Sequence, residues 1–182
     1  MDLSAIVKVV EENTKVLAND IMGEFKNSKF TKTYHDLDDA EIMNRLSAVF
    51  EHMVLWLNTG ASNDDAEIYF EGVGKKRLKE GFPLSEVNYA LYLEKKVFWK
   101  FISSKADLID PLTKSEAMEL MTLFSNYFDL GSFNITQGYF YEFFSELDEG
   151  AVYSKDQLKE FLMKGAPDHK MIRPDEFVWR HV

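Results

Sequence analysis

Apolar residues recur at three- and four-residue steps through most of the chain, the period of a helix with one buried face. Over residues 2–27 these positions are Leu3, Ile6, Val7, Val10, Thr14, Leu17, Ala18, Ile21 and Phe25. A polar stretch over 27–35 interrupts the pattern. It resumes at Asp38, a capping residue with Glu41 three positions on, and runs through Ile42, Leu46, Val49, Phe50, Met53, Trp56 and Leu57 to a stop at Gly60. A third helix is predicted from Asp64 or Asp65 to Gly81, with Ile68, Tyr69, Val73 and Leu78 on its face. The fourth begins at Pro83, since a first helical turn loses no amide partner to proline. Two adjoining apolar strips (Leu84, Val87, Leu91, Phe98, Phe101 and Ile102 beside Ala90, Leu93 and Val97) make it a central helix. A fifth opens at Thr113 with Glu116 in the capping-box place and extends to about residue 147, with Gly131 and Gly138 as sites for a bend. A short sixth opens at Ser154 with Gln157 in the matching place and ends at Gly165.

No window alternates for long enough to make a strand. The segment lengths predict an all-α bundle of about six helices over 1–165, followed by a tail over 166–182 with Phe177, Val178 and Trp179 as its anchor. A chain of 182 residues, 46 % hydrophobic and 29 % charged, has the balance of a globular domain with a core of its own. No apolar run approaches the roughly 20 residues of a membrane span. The N-terminus has no basic region ahead of its apolar positions, so a secretory signal is not expected. With 0 cysteines there are no disulfides, thiolate metal sites or cysteine nucleophiles, and a cytoplasmic location is the simplest expectation. The net charge of −10 repels phosphate backbones and argues against nucleic acid as a partner.

Catalytic motifs are missing from this picture. The positions three before His35, His52, His169 and His181 are Lys32, Val49, Ala166 and Val178, so the Glu-x-x-His signature of a di-metal helix bundle is not present. Only His52 lies well inside a predicted helix, one step off its apolar stripe; it is either an axial haem ligand or a boundary side chain partly in water. No nucleophile elbow or phosphate-cradling loop occurs. Gly72 and Gly74 suit close helix packing. Lys75, Lys76 and Lys79 fit a solvated last turn, where cations oppose the helix dipole, or an anion patch. Arg77 falls on the packing seam, where it can bury its stem and pair with a carboxylate such as Glu86 or Glu94. Nine aromatic residues lie between Phe124 and Phe144. The cluster Tyr139, Phe140, Tyr141, Phe143 and Phe144 is apolar on nearly all sides. It reads either as a central helix in a thick core or as a second surface, a dimer seam or partner groove.

Residues 69–87 contain the spacing G-x-x-R-x-x-x-G-x-x-L-x-E, followed by an Ala-Leu pair and a tryptophan. Gly74, Arg77, Gly81, Leu84, Glu86, Ala90, Leu91 and Trp99 fill these places. The pattern resembles the N-terminal domain of RsbR/RsbRD-type regulators of the bacterial stress response. The resemblance implies a globin-like all-α domain without haem or other cofactor. It also implies a sensory or protein-interaction role rather than catalysis, usually as a homodimer in a signalling assembly. Such domains typically precede an output module, whereas only a short helix and tail follow here, which favours a stand-alone binding or regulatory protein. Two alternatives remain from the residues themselves: a globin relative holding haem or a small apolar molecule, and a helix-bundle metalloenzyme using carboxylates.

Overall fold

A computed structural model of the chain describes residues 3–146 together with Leu162. Among the described residues the fold is an all-α bundle: α1 (Ser4–Asn27), a 3₁₀ turn (Lys32–Asp36), α2 (Asp39–Asn58), α3 (Asn63–Lys79), α4 (Leu84–Ser103), α5 (Ala106–Ile109) and α6 (Lys114–Glu146). Apart from Leu162, the predicted sixth helix over 154–165 lies outside the described residues. So does the tail with Phe177, Val178 and Trp179. No helix among the described residues is long and apolar enough to cross a membrane.

α1 buries Ile6, Val10, Thr14, Leu17, Ala18, Ile21 and Phe25, the face the periodicity predicts. A helix end leaves carbonyls without partners, and a buried one must find donors. The Phe25 carbonyl accepts from Thr31 Oγ1 at 2.8 Å and meets His35 Nε2 at 2.8 Å. The polar stretch over 27–35 is therefore no plain loop. It folds the 3₁₀ turn back over the end of α1 and buries Tyr34 between Phe25 and Phe82, with both ring centroids 4.8 Å away.

α2 starts where Asp38 Oδ1 accepts the Glu41 N–H at 2.7 Å. The expected box closes on one side only, because the Glu41 carboxylate turns to Arg45. At the start of α6 the box is complete: Glu116 Oε2 accepts the Thr113 N–H at 3.0 Å, and Thr113 Oγ1 accepts the Glu116 N–H at 3.3 Å. α2 and α3 end in the same way. Gly60 and Gly81 sit at φ +90° and +79°, and the next residues, Ala61 and Phe82, donate back to the carbonyls of Trp56 and Arg77 at 2.8 and 3.0 Å. These are Schellman turns, which need a left-handed residue at the corner. Pro83 is the extended residue just before α4, so the helix starts one residue later than predicted.

α6 runs unbroken for 33 residues, and the glycines expected to bend it are contact points instead. α3 lies alongside it in the same direction, from Asn63 opposite Asn126 to Lys79 opposite Glu142. α4 runs the other way, from Asn88 opposite Thr136 to Phe98 against Phe124. A Cβ on Gly138 would lie 2.1 Å from the Glu71 carbonyl oxygen, and one on Gly74 would lie 2.2 Å from that of Ile135. The two backbones touch, and only glycine fits between them. Gly131 makes room for the Phe70 ring in the same seam. This changes the inward face of α3 from the one predicted. Ala66, Phe70, Gly74, Arg77 and Leu78 are buried, Tyr69 and Val73 are partly covered, and Ile68 is 74 % exposed. A Cβ on Gly72 would have no atom within 4 Å, so this glycine makes no close helix contact.

Candidate functional site

α3 touches α6 along its length, whereas it meets α2 through side chains, with His52 stacked on Tyr69 at 3.8 Å. A cleft of about 500 Å³ opens between α2 and α3. Its mouth is formed by Glu41, Asn44, Gly72 and Lys76, all exposed. Phe25, Ile42, Leu46, Phe70, Val87, Ala90, Leu91 and Ile135 make apolar walls. A volume of this size falls within the about 300–1,000 Å³ of ordinary ligand clefts.

Polar groups gather on the floor. Arg77 is 8 % exposed and its Nη1 donates to Glu80 Oε2 at 2.8 Å. Arg45 Nη1 donates to the same oxygen at 2.8 Å and also binds Glu41. Both guanidinium groups lie by the Phe82 ring, at 5.1 Å for Arg45 and 5.7 Å for Arg77, so the Schellman corner of α3 is covered by cations. The partner expected for Arg77 was Glu86 or Glu94. Its salt bridge instead goes to Glu80, three residues on along its own helix. Glu86 is committed elsewhere: its Oε2 accepts the Thr33 N–H at 2.8 Å and ties the 3₁₀ turn to α4.

Glu94 is the unusual group. It comes from the middle of α4, is 6 % exposed and lines the cleft. Its Oε2 is buried with no hydrogen-bond partner among the described residues. Burial pushes its pKa up to about 8, while Arg77 pulls it down. At neutral pH the carboxyl is therefore mostly protonated and can donate a hydrogen bond. Burial also raises the pKa of the Tyr34 and Tyr69 hydroxyls, which line the cleft beside it and stay neutral.

The residues of the sequence motif divide between jobs. Arg77, Ala90 and Leu91 meet in the cleft. Gly74 sets the α3–α6 contact, Gly81 the corner, and Glu86 the link to the 3₁₀ turn. Leu84 is half-buried near the start of α4. Trp99 lies at the far end of α4, edge-on to Phe98 and Phe124, away from the cleft. Tyr34, Arg45, Tyr69 and Glu80 were not singled out by any motif. Glu94 was visible only as a conceivable partner for Arg77.

The aromatic cluster of α6 also divides. Tyr139 is 1 % exposed and belongs to the core, so it is not an interface residue. Phe140 and Phe143 are half-buried, while Phe133, Tyr141 and Phe144 are 60 %, 55 % and 62 % exposed. Trp179 lies outside the described residues.

His52 stands on the other side of Tyr69, half-buried and stacked on that ring at 3.8 Å. The Tyr127 hydroxyl donates to the Val49 carbonyl at 2.9 Å. It must then accept from His52 Nδ1, also at 2.9 Å, which fixes the proton on that nitrogen. Burial lowers the pKa of His52. A second hollow of about 350 Å³ lies here, between Trp56, Asp65 and Ile68. Among the described residues, no group of three or more histidine and carboxylate side chains is placed to hold a metal ion.

No protein-family model, curated protein or solved structure matches this chain.

Proposed function

We propose that the chain is a non-catalytic regulatory domain that senses a small molecule in the α2–α3 cleft and passes the signal on through protein contacts. The observation that carries this reading is the Glu94 carboxyl, buried at the bottom of an apolar cleft with one oxygen unpartnered. A buried polar atom without a partner costs roughly 1–3 kcal/mol, and a ligand that satisfies it recovers that energy on binding. The groups around Glu94 are suited to holding rather than reacting. Arg77 cannot act as a base, the tyrosines are held neutral by burial, and among the described residues no serine or histidine lines the cleft to serve as a nucleophile.

The resemblance to RsbR-type N-terminal domains, with their globin-like fold and dimeric assembly, supports the same reading through Arg77, Ala90 and Leu91, which fill motif places and line the cleft. Exposed Phe133, Tyr141 and Phe144 supply a surface for a second copy or a signalling partner in the cytoplasm. The cleft is tested with the neutral dye N-phenyl-1-naphthylamine. Its emission rises on binding to the wild type and fails to rise with Gly72→Phe, which plugs the mouth from an open position. Equal emission from both proteins removes the cleft as the sensing site. Light scattering tests assembly: a dimer that Phe144→Asp dissociates is expected, and a wild-type monomer at high micromolar concentration removes the homodimer.

A further inference from the structure

We infer that the ligand of the α2–α3 cleft is a small organic monoanion, a carboxylate with an apolar body, held head-down by Arg77 and Glu94. This rests on reading the cleft as a sensing site. The first argument is charge. Three cations stand at the site: Lys76 at the mouth, and Arg45 and Arg77 below it. Two carboxylates oppose them, Glu41 in the cleft wall and Glu80, which bridges Arg45 and Arg77. With Glu94 uncharged, one positive charge is left over on a chain whose net charge is −10. A site of that sign on an acidic protein attracts an anion and discriminates against a cation.

The second argument is hydrogen bonding. Arg77 spends Nη1 on Glu80 and a further donor on the Tyr34 hydroxyl, and the rest of its five-donor guanidinium fork fits a carboxylate. The unpartnered Glu94 oxygen, when protonated, adds an O–H donor on a residue that lines the same cleft. The remaining Arg77 donors and the Glu94 O–H suit an acceptor-only head group such as a carboxylate. An ammonium head would face Arg77 directly. The third argument is shape: above the polar floor the walls are apolar side chains such as Leu46, Phe70 and Val87, so the rest of the ligand is hydrocarbon or aromatic.

Ligand binding and Glu94 protonation are then linked. The groups facing this carboxyl are Tyr34 of the 3₁₀ turn, Tyr69 and Arg77 of α3 and Tyr127 of α6; α2 contributes Arg45 to the cleft but pairs it with Glu41 and Glu80, and α1 contributes only apolar Phe25. None of the tyrosines ionises below pH 10, so Glu94 is the group that titrates in the floor near neutrality.

Calorimetric titration of the full chain with octanoate, octylammonium, octanol and acetate tests the assignment. These probes vary head and body separately. Octanoate should bind at least tenfold more tightly than each of the others at pH 6.5, and its affinity should fall several-fold between pH 7 and pH 9. Gly72→Phe should abolish it. Arg77→Gln should weaken octanoate at least tenfold while leaving octanol unchanged. If that variant does not fold, the mouth variant Lys76→Gln, in an exposed last turn, should weaken octanoate two- to threefold. Octylammonium or octanol matching octanoate in the wild type, with binding still blocked by Gly72→Phe, overturns the anion assignment and leaves the cleft as a sensing site. Failure of all four probes and of the neutral dye overturns both.

Discussion

One helix, α3, makes two opposite kinds of contact. Towards α6 it has no spare space. Gly74 and Gly138 let the two backbones meet, Phe70 fills the notch at Gly131, and a single Cβ has no room. Towards α2 it stands off, and the gap holds a cleft with a buried guanidinium and a buried carboxyl. The difference follows from side-chain size and charge at neighbouring positions. Small residues bring axes close and gain dispersion contacts along the whole seam. Arg77 and Glu94 keep the α2 side open, because charged and polar groups lose water without full repayment when packed flat. The seam fixes α3 as a rigid wall, and the cleft uses that wall.

The largest expected effect comes from breaking the seam. Gly138→Val would put a branched side chain 2.1 Å from the Glu71 carbonyl, backbone against backbone, with no flexible neighbour to give way. Overpacking of this kind should cost at least about 3 kcal/mol. For a chain of this length the melting temperature should fall by roughly 6–12 °C. Urea denaturation measures it. A loss below about 1 kcal/mol would mean that the helices are farther apart than described.

Next comes the cleft. Unfolded, Glu94 gives up its proton near 4.5; folded, it keeps it until about 8. Between those values the folded state carries the extra proton, so stability falls as pH rises through this window and is fully present below it. The limiting slope for one group is about 1.4 kcal/mol per pH unit. Glu94→Gln keeps the shape and removes the titration. Thermal melts of both proteins from pH 5 to pH 8.5 should therefore diverge, with the wild type losing more. Glu86, also raised by burial, is common to both and cancels in the difference. Parallel curves would show that Glu94 is ionised in the fold.

A smaller effect tests the corner that joins the two regions. Gly81 holds φ +79° in open space, so a side chain there meets no atom and the cost is conformational alone. Gly81→Val should destabilise by about 1–2 kcal/mol. Chemical denaturation reads this, and unchanged stability would place the end of α3 elsewhere.

The seam and the cleft were not equally readable from sequence. Capping residues and large apolar side chains announced α1, α2, α4 and α6, because periodicity reports where bulky groups face inward. The face of α3 escaped, since a seam made of Ala66 and Gly74 carries no hydrophobic signal, and Ile68 carried one while facing water. The same blindness turned Gly131 and Gly138 into suspected bends. Arg77 was legible as a seam arginine. Its partner was not, because the salt bridge goes to Glu80 three residues on, whereas Glu86 and Glu94 on the next helix were the expected carboxylates. The burial of Tyr34 depends on a 3₁₀ turn held by Thr31 and His35, a long-range arrangement without periodicity. Among the α6 aromatics, density was evident and direction was not: Tyr139 faces inward and Tyr141, two residues on, faces out.

The finest test of the contrast uses two glycines on α3, two residues apart. Gly72 borders the cleft with no atom within 4 Å of a would-be Cβ, whereas Gly74 faces the Ile135 carbonyl at 2.2 Å. Both are helical, so both suffer the same backbone-entropy penalty, and alanine removes that penalty at either site. At Gly72 nothing opposes the gain, and Gly72→Ala should stabilise by about 0.5–1 kcal/mol. At Gly74 the same methyl group must push α6 away, so Gly74→Ala should destabilise despite the identical gain in helix propensity. Differential scanning calorimetry of the pair isolates the neighbour from the backbone. If both variants shift the melting temperature in the same direction, α3 does not have one closed face and one open face, and the cleft loses its rigid wall.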